Sequence, residues 1–282
     1  MASRQVFELN VFPRTKHPIK IELLRAALAP RGFVETTASG STRFSFYYQS
    51  RGAAQAALRE IRASGMKCLS GRVKHLAASD WRDKWKKAFV PFKLTDRLDV
   101  VPAWRQASYR GRRIPVVIDT VLAFGTGLHE TTRFMARLME SRRGTFDSFL
   151  DIGTGTGLLA IVASHCGART VWGVDIDPSS LRVARQNLAA NGLRFSRTKA
   201  GDFRNIALGR TFDFVAANLV TQDLIAMRRE ILSAVGQGKY LAVSGVSLGN
   251  LTVLRKAFSG LPLRCRAVIK GRKWAAVLYQ RR

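Results

Sequence analysis

The run FLDIGTGTGLLAIVA, from Phe149 to Ala163, limits the folds open to this chain more than any other segment. Phe149, Leu150 and Ile152 read as a buried strand, Gly153, Gly155 and Gly157 break it, and Leu158 to Ala163 resume as an apolar helix. A strand that ends in glycines and turns at once into a helix is how a parallel sheet forms a nucleotide-sized crevice at its carboxyl edge. The next apolar strand, Val171 to Val174, closes on Asp175, where a carboxylate can accept hydrogen bonds from both hydroxyls of a ribose. The expected ligand is a nucleoside.

Which nucleoside follows from what the segment lacks. Dinucleotide sites carry GxGxxG with the pyrophosphate on the helix N-terminus, whereas Gly153, Gly155 and Gly157 are spaced GxGxG and no Lys or Arg opens the helix. No GxxxxGK[ST] lysine is present to hold phosphates. An adenosyl ligand without phosphates fits better, and DxGxGxG from Asp151 with a distal acid resembles the S-adenosylmethionine-dependent methyltransferases. A dehydrogenase site or a glycine turn without ligand are the alternatives.

The rest of the chain alternates around this unit. After Asp175, helix 179–190, strands 195–199 and 212–217, helix 223–235, strand 240–244, helix 250–258 and a terminal hairpin turning at Gly271 predict a doubly wound, seven-stranded α/β sheet, Rossmann-like, closed by antiparallel strands. Residues 1–78 alternate as strand 6–12, helix 21–28, strand 42–48, helix 53–62 and strand 73–76, a split βαβ order that predicts a small α+β ferredoxin-like domain. Trp81, Trp85 and Phe89 recur at helical spacing and predict a linker helix, so residues 79–112 are read as linker and connecting segment and 113–282 as the main domain. No apolar run is long enough to cross a bilayer, the N-terminus has no apolar signal core, and Cys68, Cys166 and Cys265 have neither disulfide-framework nor zinc spacing. These features predict a soluble protein of the reducing cytoplasm, with no metal and no membrane partner.

Candidate chemistry gathers at strand ends. The glycine-bearing loop 123–129 precedes a helix from Glu130, and Thr131 and Thr132 sit in its first turn, where composition alone favours a capping role. Asp119, Asp151, Asp175, Asp177 and Asp202 lie at strand ends or adjoining loops, which predicts a locally acidic site for a ligand with a positive centre. Asp202 is read equally as an acceptor for an adenine amino group or as a turn residue. Asn218, ending a central strand, reads as holding an incoming amine or the cofactor, or as capping the next turn. His129 is expected to order its loop rather than act as a base.

Taken together, AFGTGLHETT (123–132), LDIGTGTGLLAI (150–161), GVDIDP (173–178), RQNLAANG (185–192), AANL (216–219) and SGV (244–246) resemble the PrmA family, which methylates the large-subunit ribosomal protein numbered eleven. The resemblance runs through the linker into the small N-terminal domain, and FGTGxHxTT is its most specific piece. It implies S-adenosylmethionine as cofactor, with Thr132, Gly153, Asp175 and Asn218 in contact with it; the glycine spacing adds Gly155, and Asn218 at its strand end is read as the catalytic position. It therefore replaces the cap with a cofactor contact at Thr132. The chain departs from the family pattern at Thr120-Val121, where Pro-Gly is usual, at Glu130, where Pro is usual, and at Leu219-Val220, where Ile-Leu is usual.

The formal net charge is +28. Residues 1–115 carry 23 Lys and Arg against 8 Asp and Glu, and residues 116–282 carry 24 against 11, so the excess is shared by both halves. Such a field attracts polyanions, with ribosomal RNA the natural candidate, although drift toward arginine explains it equally. The reading is a methyltransferase acting on lysine or N-terminal amines of a ribosomal protein. Two rivals stand beside it: an RNA methyltransferase, against which stands the absence of an NPPY-type motif at Asn218, and a non-catalytic ribosome-binding protein, against which stands the intact glycine motif.

Overall fold

In the computed structural model, the residues described are 6–13, 34–38, 41–48, 50–63, 69–76, 89–119, 127–206 and 208–282. They fall into two compact units, divided after Phe89.

The N-terminal unit contains β1 (Val6–Pro13), β2 (Val34–Ala38), β3 (Ser41–Tyr48), α1 (Arg51–Ala63) and β4 (Leu69–Leu76). The strands form an antiparallel sheet of order β2-β3-β1-β4. Leu9, Val11, Phe44 and Phe46 alternate with polar neighbours and pack against Ala57 and Ile61 of α1, the one apolar stripe of that helix. β2 was not anticipated, because VETTA shows no apolar alternation. The helix expected at 21–28 and the linker helix on Trp81 and Trp85 lie outside the described residues.

In the second unit, β5 (Phe92–Lys93), β6 (Leu98–Pro102) and β7 (Ile114–Ile118) form a small sheet in which β6 and β7 run parallel. Leu98 and Val100 are fully buried in the same core as Val116 and Phe149, so the chain from Val90 on, read from sequence as part of a connecting segment over 79–112, packs within the large unit. The chain continues through α2 (Glu130–Glu140), β8 (Ser148–Ile152), α3 (Leu158–His165), β9 (Thr170–Asp175), α4 (Pro178–Ala190), β10 (Arg197–Ala200), β11 (Phe212–Asn218), α5 (Thr221–Ala226), α6 (Arg228–Ser233), β12 (Val235–Ser247), α7 (Leu251–Ser259), β13 (Leu263–Lys270) and β14 (Trp274–Arg281).

The large sheet has the order β10-β9-β8-β11-β12-β14-β13, parallel except for β14 and β13. Its central strands are apolar on both faces, as helices on both sides require. Phe149, Phe214, Ala216 and Ala242 face a layer of α2, α3 and α4, while Leu150, Val215, Ala217 and Val243, one residue out of phase, face Leu224, Ile231, Leu254 and Phe258 of α5, α6 and α7. Helix α3 is apolar all round because Leu158 to Ala163 are all buried between neighbours. Where one helix was expected over 223–235, α5 and α6 meet at Met227 in a turn (φ −94, ψ 12) that carries no glycine or proline to announce it.

Two asparagines one helical turn apart tie α4 to β7. Asn191 accepts from Val117 N at 2.8 Å and donates to Val117 O at 2.7 Å; Asn187 accepts from Asp119 N and donates to Thr156 O, at 2.8 and 2.9 Å. These bonds satisfy a strand edge that has no strand partner among the described residues and anchor it beside the glycine loop. Among the described residues no helix is long and apolar enough to cross a membrane.

Candidate cofactor site

The carboxyl ends of β8, β9 and β11 open onto a cleft of about 410 Å3 lined by Thr132, Gly153, Gly155, Asp175 and Asn218, the residues singled out from sequence. Gly153 turns with φ +75, and a Cβ there would fall 2.6 Å from Leu219 Cδ2, so only glycine lets β8 leave the sheet this close to the β11 loop. Asp175 ends β9, and its Oδ2 accepts from Gly155 N at 2.9 Å while Oδ1 accepts from Asp177 N at 3.0 Å. Each oxygen keeps lone pairs for a further donor, as two ribose hydroxyls require.

Next to it, Asp151 is 1% exposed; its Oδ2 accepts from Thr154 Oγ1 at 2.8 Å, and its buried Oδ1 has no partner. Burial pushes its carboxyl up to about 7, against the Thr154 bond, and nearby Asp175 adds to the rise. A buried acid with an empty oxygen beside a cleft also lined by Asp175 fits a ligand that carries a positive centre.

Of the five acids expected at the site, Asp175 and Asp202 line the cleft and Asp151 adjoins it. Asp177 instead caps α4, accepting from Ser179 N at 2.8 Å, and Asp119 is exposed and does not line the cleft. Asp202 caps its own short turn, accepting from Arg204 N at 3.0 Å, and pairs with the Arg204 guanidinium. Asp223 of α5 also lines the cleft and was missed, since an acid in a first helical turn reads simply as a helix start.

The start of α2 decides the reading of Thr132. The cap is His129, whose Nδ1 accepts from Thr131 N and lies 2.8 Å from Thr131 Oγ1, so the capping role read from composition belongs to His129. Thr132, 3% exposed, is left to line the cleft. The His129 ring packs edge-on to Trp274, its centroid 5.0 Å away, and burial holds its pKa below the ordinary histidine value, outweighing the opposing pull of Glu130.

Asn218 pairs in register with Ser244, and Leu219 N donates to Ser244 O at 3.1 Å. Gly245, at a register shift in β12, has φ +84, and a Cβ there would lie 2.0 Å from Leu219 O. The SGV segment is thus a clamp on the backbone that follows Asn218. The next helix, α5, has Val220 at its cap with no side-chain bond, so Asn218 does not cap it.

The family model described as ribosomal protein L11 methyltransferase (PrmA) matches residues 25–282. The chain belongs to this family. Its relatives include the ribosomal protein L11 methyltransferase of Pelobacter propionicus, 34% identical over 209 residues, covering 72% of this chain and 67% of that protein. That of Symbiobacterium thermophilum is 30% identical over 222 residues, covering 78% and 72%. The crystal structure of ribosomal protein L11 methylase from Lactobacillus delbrueckii subsp. bulgaricus matches with a TM-score of 0.63 at 25% identity, covering 68% of this chain and 99% of that chain. Membership of the PrmA family makes S-adenosylmethionine the cofactor, and the glycine loop, the free lone pairs of Asp175 and the acidic surroundings fit it.

Proposed function

We propose that this chain transfers methyl groups from S-adenosylmethionine to lysine or N-terminal amines of a large-subunit ribosomal protein. The observation that carries the reading is the placement of Asn218. It is half-buried, it lines the cleft beside the glycine loop, and the Ser244–Gly245 clamp holds the backbone after it.

The cofactor, when bound, supplies an electrophilic methyl on a positively charged sulfur. Gly153 and Gly155 bring backbone against it, Asp175 holds the ribose hydroxyls, and Thr132 offers a hydroxyl from the start of α2. The Asn218 amide oxygen accepts a hydrogen bond from the incoming amine and aims its lone pair, so the chain contributes mainly positioning. A strong base is not required, provided the amine arrives neutral. A free lysine, with a pKa of about 10.4, is almost wholly protonated at neutral pH, and burial against the cleft favours its neutral form. His129 stays in its cap.

The N-terminal unit is proposed to recognise the substrate protein, and the basic surface to contact ribosomal RNA near it. Cytoplasmic location and a metal-free reaction complete the proposal. Mass spectrometry of the substrate protein after incubation with enzyme and cofactor tests it: the account predicts methyl additions on lysine side chains or the N-terminal amine. Additions confined to other side chains would contradict it.

A further inference from the structure

Residues 231–282 contain ten Lys and Arg and no Asp or Glu. The fold gathers seven of them at one edge. Among the described residues β13 ends the large sheet and pairs on one side only, with β14. Arg264, Arg266 and Lys270 of β13 are exposed, the turn beyond it adds exposed Arg272 and Lys273, and α7 adds exposed Arg255 and Lys256. Phe258 of α7 stacks on Tyr279 at 5.6 Å between centroids, and Tyr279 pairs in register with Cys265, so the helix lies against this same edge. Among the described residues, Arg255, Lys256, Arg264, Lys270 and Arg272 form no ion pair with a carboxylate, in contrast to Lys239, which pairs with Asp213 at 2.8 Å.

We propose that the outer edge of β13, its turn at 271–273 and the exposed side of α7 form a docking surface for the phosphate backbone of RNA. Cys265 pairs with Tyr279 and Ala267 with Leu278, so β13 bulges at Arg266, and its cations are spread over both faces of the open edge rather than clustered on one. Most are arginines, whose planar guanidinium can grip phosphate oxygens in pairs. A membrane would need several large apolar groups to insert beside the charges; β13 exposes none, and of those on α7 only Val253 is exposed. The surface also reaches the cofactor cleft: Trp274, just after the turn, packs on His129, three residues before Thr132, and Gly271 lies against Glu130 and Phe134. RNA held along this edge would place a ribosomal protein near the cleft mouth. RNA is chosen over other polyanions on the ribosomal reading above; the binding itself does not depend on methyl transfer.

The test is anisotropy titration of a fluorescent hairpin RNA with the full-length protein over a range of salt. The triple variant R264Q/K270Q/R272Q is compared with R182Q/R185Q/R194Q, which removes equally exposed cations from α4 and the following loop at the opposite sheet edge. Each lost phosphate contact makes the slope of log affinity against log salt shallower by about one. The β13 triple should lose about three, the control triple less than about one, and both should keep the parent's melting temperature and cofactor affinity. Equal losses in the two triples would replace the docking edge with a diffuse field. Parental RNA affinity with new aggregation of the β13 triple would reduce its cations to guards of an open strand edge. Loss of binding to anionic lipid vesicles with RNA affinity intact would assign the edge to a membrane.

Discussion

Asp151 and Asp175 are neighbours at the cleft, yet Asp151 is closed off from solvent while Asp175 lines the opening. Asp175 has both oxygens bonded to backbone amides and faces the cleft, so Asp175→Ala should weaken S-adenosylmethionine binding by about 1.5 to 3 kcal/mol in calorimetry, the scale of hydrogen bonds to a charged group. Unchanged affinity in a folded variant would remove it from the site. Asp151, raised to about 7 from 3.8, is easier to protonate in the folded chain than in the unfolded one. Its contribution to stability is therefore full below pH 3.8 and is lost progressively as pH rises from there to about 7. Asp151→Asn, which cannot ionise, should gain in melting temperature relative to the parent as pH is raised from 3.8 to about 7, and the gain should level off above that. A melting difference that stays constant with pH would contradict the burial argument. Sequence showed where these acids lie but not their states, because ionisation depends on what packs over them.

The elements that position the site were legible where a local rule governed them. The apolar strand, glycine turn and apolar helix from β8 to α3 follow from residue pattern alone, and the Gly271 hairpin was equally visible. β2 and the break at Met227 were hidden, because a polar edge strand and a bent helix are set by their neighbours rather than by their own periodicity. The cap of α2 was assigned to threonine when histidine performs it, since histidine is not among the preferred capping residues. The role of Gly245 emerges only from the crossing of β11 and β12. Gly245→Ala places a methyl group against the Leu219 carbonyl, which cannot yield as a side chain would. A loss of about 2 to 4 kcal/mol in stability is expected by denaturant unfolding, with turnover falling further than cofactor affinity because the Asn218 end of β11 is displaced. Equal falls in turnover and cofactor affinity would mean that the clamp serves the cofactor alone.

For the whole molecule, charge counted along the chain is even between its halves, while the fold sets seven of the ten cations of the acid-free last stretch at one sheet edge. That concentration is invisible in composition. If the +28 charge serves docking, methylation of assembled ribosomal subunits should fall steeply with salt, while methylation of the free protein should not. Parallel salt curves would leave the charge without a docking role. The two-layered core and seven-stranded order follow from the alternation of strands and helices, and the family pieces at 123–132, 150–161 and 216–219 carried the functional reading. The central claim is that a ribosomal protein accepts the methyl group. Incubating the enzyme with methyl-labelled S-adenosylmethionine and large ribosomal subunits, then separating protein from RNA, measures this directly. The account predicts label in a single ribosomal protein and loss of that label with Asn218→Ala; label recovered in the RNA fraction would contradict it.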